Sequence, residues 1–266
     1  MIKVVELNSI GELIDFPFVE GIKDKKNFRR MNYTFRGQNS DKYSLISGLR
    51  RTSQKNFNYL ERRLLNNFKK YGQIIEDKVC SSIWENMIIA QHHGIPTRCL
   101  DFSLSPVVAL HFALIGNSYR ENAVVWAINH GLIHRNLLPG RYKSILEKHE
   151  AVSFTVDMLE ELNISIDDYN QDMDDKSFIF LEPPSVDNRI VNQFSHLAVV
   201  PDTLDPLDDF LNGIPFEKVV YKFIIPYDKI ELFRKQLDYM NITERTLFPG
   251  LDGLASYHKR RYGYGI

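Results

Sequence analysis

The chain has 266 residues, 44% hydrophobic and 25% charged, enough apolar material to bury a sizeable core and too much to leave the chain disordered. Lys and Arg number 33 against 34 Asp and Glu, a net charge of −1, so no global basic field for nucleic acid exists and only local patches remain open. Two cysteines, Cys80 and Cys99, without metal-ligand spacing argue against a disulfide framework, and no run approaches the roughly 18 apolar residues of a membrane span.

Read in chain order, Met1 to Glu6 is a short strand or an extended arm. Ser9 to Glu12 has capping-box spacing, which starts a helix there. The N-terminus lacks the long apolar stretch of a signal peptide, so a cytoplasmic protein with no membrane partner is expected. Lys23 to Arg30 is charged and reads as a loop. Residues 1–30 thus form an N-terminal arm and helix ahead of a domain spanning 31–266. Asn32 to Arg36 reads as a strand ending at Gly37. Phe57, Leu60, Leu64, Phe68 and Tyr71 recur at helical spacing within 54–72. A second helix covers Ser81 to His93 and is closed by Gly94 and Pro96. Ser105 and Pro106 supply an N-cap and a first helical proline for an apolar helix over Val107 to Ile115. Ala123 to Ile128 reads as a central strand. Residues 133–175 are mixed, with helical pieces and the acidic stretch Asp167-Asp168 to Asp175, and read as partly mobile surface. Phe178 to Leu181, His196 to Val200 and Glu217 to Ile225 read as strands. Pro226 opens a helix to about Met240, and Gly250 to Arg261 supplies the last one. Its basic end, His258 to Arg261, is a candidate local basic patch but reads first as a solvated helix face. Strands and helices interspersed without strict alternation predict a single α+β domain, a mixed or antiparallel β core flanked by helices.

Polar groups concentrate in Gln91 to Ala113, QHHGIPTRCLDFSLSPVVALHFA. Buried polar groups are costly unless paired, so this density beside so much apolar sequence marks a pocket or a hydrogen-bonded corner. Thr97 to Asp101 is either a corner held by an Arg98–Asp101 bidentate pair or a ligand contact. Arg36 either pairs with a nearby acid such as Asp101 or holds a ligand. Ser105 reads first as an N-cap. His92 and His93 are adjacent and point apart, and His111 could meet His92 or Asp101. The i, i+4 pairing of a metal site is lacking, so no metal is expected. Leu247 to Gly253 reads as a turn followed by a docked C-terminal helix, capped by Asp252 or Gly250.

Four stretches resemble the FRG domain family: Phe35-Arg36-Gly37-Gln38 with Tyr43 to Arg51, then Gln91 to Ala113, Arg189 to Leu197, and Leu247 to Ala255. Cys99 stands where the family usually has Leu, which favours packing over a reactive thiol, and Phe194 follows Gln193 where Gly is usual. Phe-Arg-Gly at a strand end, and Ser103-Leu104-Ser105 ahead of a helix, are also similar to elements of mono-ADP-ribosyltransferases. That resemblance implies an ADP-ribosyltransferase-like fold with NAD as substrate or ligand. Arg36, Gly37, Gln38, Gln91, His92, Arg98 and Ser103 would bind it, and Asp101, Gln193 and Ser105 would carry catalysis. Gln193 stands where those enzymes carry a Glu, so it could hold a ribose hydroxyl but supplies no charge; Asp101 is then the candidate acid. The implied activity is ADP-ribose transfer to a protein or nucleic-acid acceptor, or NAD hydrolysis, as in a bacterial toxin or phage-defence effector. The alternative is a non-catalytic module that senses a nucleotide or binds nucleic acid in the same pocket.

Overall fold

The computed structural model describes residues 2–21, 32–52, 55–72, 82–116 and 121–262. The charged loop expected at Lys23 to Arg30, and Cys80, lie outside the described residues. Strands β1 (Lys3–Glu6), β2 (Tyr33–Gln38), β3 (Cys99–Ser103), β4 (Ala123–Asn129), β5 (Ile179–Leu181), β6 (Ser195–Val199) and β7 (Val220–Ile225) form one seven-stranded sheet, ordered β1-β7-β4-β2-β3-β6-β5. The β1–β7 pair is parallel and the remaining pairs are antiparallel, so the sheet is mixed. β4 is buried from Ala123 to Ile128, as its unbroken AVVWAI run requires of a strand covered on both faces. Beside it, β2 pairs with β3 through Phe35 and Ser103, which puts the two chemistry-bearing stretches on adjacent strands.

Helix α1 (Ile10–Gly21) starts as its capping-box spacing predicts: Ser9 Oγ accepts from the Glu12 N–H at 3.3 Å and Glu12 accepts from the Asn8 N–H at 2.9 Å. Its Phe16 packs edge-on against Tyr33, Tyr221 and Phe223, joining the helix to the sheet. Tyr43 to Arg51 runs into a short helix, α2 (Gly48–Thr52). Next come α3 (Phe57–Gly72) and α4 (Ile83–His92); α4 is capped by Ser82 and followed by Gly94 at φ +85°, a left-handed conformation that suits glycine. Helix α5 (Pro106–Leu114) is almost wholly buried and starts at its Ser105 cap. It lies directly on β2, because a Cβ at Gly37 would meet the Ala109 carbonyl oxygen at 1.9 Å.

The 133–175 region differs from its expected surface character. It forms α6 (His130–Leu137), α7 (Gly140–Lys148), α8 (Val156–Glu161) and α9 (Ile166–Met173), which bury Tyr142, Leu159, Tyr169 and Met173 in a core shared with Trp84 and Val199. Helices this short are marginal alone, and their burial comes from stacking several of them. Under them lies a histidine trio: His134 Nδ1–H donates to the Val152 carbonyl at 2.6 Å and its Nε2 accepts from the Phe180 N–H at 2.9 Å. His196 bridges Thr34 and Ser153 at 3.1 and 3.0 Å, and His130 packs on its ring. Burial pushes His134 down to about 4 and His196 down to about 3, and holds His130 well below its ordinary value.

After α10 (Asn188–Asn192) and α11 (Leu207–Gly213), the segment opened by Pro226 begins as a 3₁₀ turn and continues as α12 (Ile230–Tyr239). The short α13 (Glu244–Leu247) precedes α14 (Leu251–Tyr262), which sits so close that a Cβ at Gly253 would meet the Phe248 carbonyl oxygen at 1.8 Å. Arg260 is not a solvated charge as expected: it pairs with Asp238 and Glu244, both at 2.7 Å, and docks α14.

Candidate functional site

Arg36, Gly37, Gln38, Gln91, His92, Asp101, Ser103 and Gln193 all line one cavity of about 450 Å³. Strand β2 supplies the first three, the last turn of α4 the next two, and β3 brings Asp101 and Ser103 beside them. Gln193 reaches the same cavity from the end of α10. Arg98 and Ser105 are not among its lining residues.

The expected Arg36–Asp101 ion pair takes another form. Arg36 Nη1–H donates to the main-chain carbonyl of Asp101 at 2.5 Å, while the Asp101 carboxylate accepts from Gln91 Nε2–H at 3.0 Å. Arg36 Nε is buried without a partner. Burial lowers the Arg36 pKa, Asp101 opposes the shift, and the neighbouring Arg51 charge adds to it. A guanidinium with unused donors beside a second guanidinium favours an anion.

Most of the other lining side chains are held by the framework. Gln38 accepts from Trp126 Nε1–H at 2.8 Å and donates to the Ser44 carbonyl at 3.1 Å. Gln91 accepts from Thr97 Oγ1–H and so presents its N–H groups to Asp101. Ser103 Oγ–H donates to the Gln193 carbonyl at 2.7 Å and accepts from the Ser105 N–H at 3.0 Å, clasping the two loops together. Gln193 Nε2–H donates to the Leu247 carbonyl at 3.0 Å, which ties the fourth motif to the cavity wall. Ser105 caps α5 through a 3.5 Å contact with the Val108 N–H. His92 Nε2 lies 3.1 Å from the Asp187 carboxylate, and the Arg189 N–H above all keeps that carboxylate below its usual range.

Arg98 makes neither contact expected of it. It points into the core, where Nε–H donates to Glu61 at 2.8 Å and Nη2–H donates to the other carboxylate oxygen. Burial is the largest single influence on the Arg98 pKa and lowers it, but the Glu61 charge and hydrogen bond, with smaller contributions from Tyr169 and Cys99, leave it raised. Glu61 lies on α3, 37 residues away, so sequence proximity pointed to Asp101 instead. His111 likewise meets Arg234 at 3.4 Å, not His92 or Asp101. Cys99 is buried and its thiol is pushed up to about 12, which leaves it packed and protonated. Among the described residues, no group of three or more His, Cys, Asp or Glu is arranged to hold a metal ion, and no helix is long and apolar enough to cross a membrane.

Arg51, Phe112 and Arg189 also line the cavity but were not among the expected site residues. Arg189 stacks on Phe248 at 5.1 Å, and Phe248 in turn packs edge-on against Phe112 at 5.9 Å. The Arg and Phe positions of the recognised motifs were the signal for two of them; Arg51 closes the Tyr43 to Arg51 element. No curated protein and no solved structure matches the chain. A family model does match residues 31–122, taking in both the Phe-Arg-Gly strand and the Gln91 to Ala113 stretch, and on that match the chain carries an FRG domain.

Proposed function

We propose that the cavity binds NAD and that the protein is an ADP-ribosyltransferase-like enzyme, transferring ADP-ribose to a macromolecular acceptor or to water. The observation that carries this reading is the meeting of Arg36, Asp101, Ser103 and Gln193 in one cavity, with Arg36 donors left unused. Arg36 would anchor the phosphate side of NAD. Gln91 orients the Asp101 carboxylate, which would stabilise positive charge at the anomeric carbon as its bond to nicotinamide breaks. The bonding pair leaves with nicotinamide, and the acceptor oxygen forms the new bond and releases its proton to solvent. Ser103 would act as a positioning residue, since its hydroxyl is engaged at both ends. The settings of toxin or phage-defence effector rest on the resemblance alone.

Nicotinamide release from NAD by the purified protein, with and without added protein or nucleic acid, tests this reading. Asp101→Asn is expected to abolish release while NAD still binds, and Arg36→Ala to weaken NAD binding. Absence of release under all acceptor conditions, with NAD still bound, turns the conclusion to a nucleotide-sensing module. One observation favours that second reading: Gln193 offers an uncharged amide whose N–H is already engaged by Leu247.

A further inference from the structure

Beside the cavity lies a second chamber of about 390 Å³, walled in part by Gly48, Thr52, Gly94 and Pro96. The two chambers share Arg36, Arg51, Gln91 and Asp101, so they meet along one polar seam. Two guanidiniums face that seam. Arg36 engages one N–H group on the Asp101 carbonyl and keeps a buried Nε without a partner. Arg51 engages Nη1–H on the Ile46 carbonyl at 2.6 Å. The one carboxylate at the seam, Asp101, accepts from Gln91 rather than from either arginine. Two cations against one carboxylate leave the seam net positive on a chain whose overall charge is −1. Each chamber alone falls at the small end of the roughly 300–1,000 Å³ usual for ligand sites. Joined at an anion-seeking seam, they fit a ligand with two bulky ends and a negatively charged middle.

We propose that the second chamber is a ligand subsite governed by Arg51: Arg51 and Arg36 clamp a diphosphate at the seam, and one nucleoside end of a dinucleotide lies among Gly48, Thr52, Gly94 and Pro96. The inference rests on the nucleotide reading of the cavity but on none of its transfer chemistry. Arg51 is exposed, so replacing it leaves the core intact. Thr52 stands at the chamber wall and is also exposed, so a large side chain there fills the chamber without disturbing packing.

Calorimetric titration of the whole protein with ADP-ribose, AMP and inorganic pyrophosphate provides the test. The wild type is expected to bind ADP-ribose at least about tenfold more tightly than AMP, the worth of one charge-assisted hydrogen bond. Arg51→Gln is expected to weaken ADP-ribose and pyrophosphate by a similar factor with an unchanged melting temperature. Thr52→Trp is expected to weaken ADP-ribose while sparing pyrophosphate. Equal affinity for AMP and ADP-ribose, an Arg51→Gln variant with wild-type affinity, or no binding of ADP-ribose and pyrophosphate each overturns the proposal. Nicotinamide release separates this outcome from the catalytic reading. A protein that binds ADP-ribose through Arg51 without releasing nicotinamide keeps the subsite and loses the enzyme. One that releases nicotinamide while Arg51→Gln binds normally does the reverse.

Discussion

Arg98, one residue before β3, and Arg36, within the neighbouring strand β2, sit in opposite electrostatic situations. Arg98 is sealed in the core with both Glu61 oxygens on its guanidinium, a third bond to Asn170 and the Phe57 ring 5.5 Å away. Arg36 is half-buried, makes one bond to a carbonyl, and faces a cavity that also holds Arg51. A satisfied buried cation fixes one packing of its neighbours. An under-satisfied one beside a like charge instead leaves binding capacity open to a ligand. Two arginines that look alike in sequence therefore divide into one that holds the sheet to α3 and one that faces the site.

The contrast can be broken by experiment. Arg98→Ala leaves Glu61 buried and uncompensated, so a loss of about 3–5 kcal/mol in chemical denaturation is expected. A loss below about 1 kcal/mol would place Arg98 outside the core framework. The histidine trio adds a pH dependence to this same half of the molecule. His134 and His196 are neutral when folded because burial lowers them to about 4 and about 3. Unfolded histidine titrates near 6.5, so below that pH the unfolded state binds protons the folded state refuses. Their contribution is complete above about pH 6.5 and falls as pH drops toward 4, by up to about 1.4 kcal/mol per pH unit for each histidine. Protonating His134 would also set its Nε2–H against the Phe180 N–H, which now donates to it. A flat stability profile from pH 7 to 4.5 would remove the trio from the account.

On the site half, Gly37→Ala drives a methyl into the Ala109 carbonyl and the Ala113 N–H. Overpacking of this kind costs about 1–3 kcal/mol and shifts α5, so ligand affinity is expected to fall with the melting temperature. An unchanged melting temperature would mean that α5 has room to move. The smallest stability effect is expected at Arg36 itself. Arg36→Ala removes one hydrogen bond, worth about 1 kcal/mol, while abolishing most nucleotide binding. Unchanged affinity together with a collapsed melting temperature would make Arg36 a structural residue like Arg98 and end the contrast.

Local sequence determined the elements whose signals are complete within a few residues. The Ser105-Pro106 helix start, the Ser9 to Glu12 capping box, the unbroken AVVWAI strand and the Gly94 stop each carry their own backbone chemistry, and each element forms where it is expected. The polar density of Gln91 to Asp101 likewise marked a corner beside a cavity. What that corner does was decided by partners far away in the chain. Glu61 from α3 takes Arg98, Arg234 from α12 takes His111, and Leu247 takes the Gln193 amide. The seam between the two chambers exists because α2 brings Arg51 to the same wall as Asp101 of β3, fifty residues later in the chain. Caps, turns and strand runs depend on hydrogen bonds reaching only a few residues, so sequence specifies them directly. A charged side chain chooses its partner by desolvation and distance in the packed molecule, and those are fixed only once the sheet has assembled.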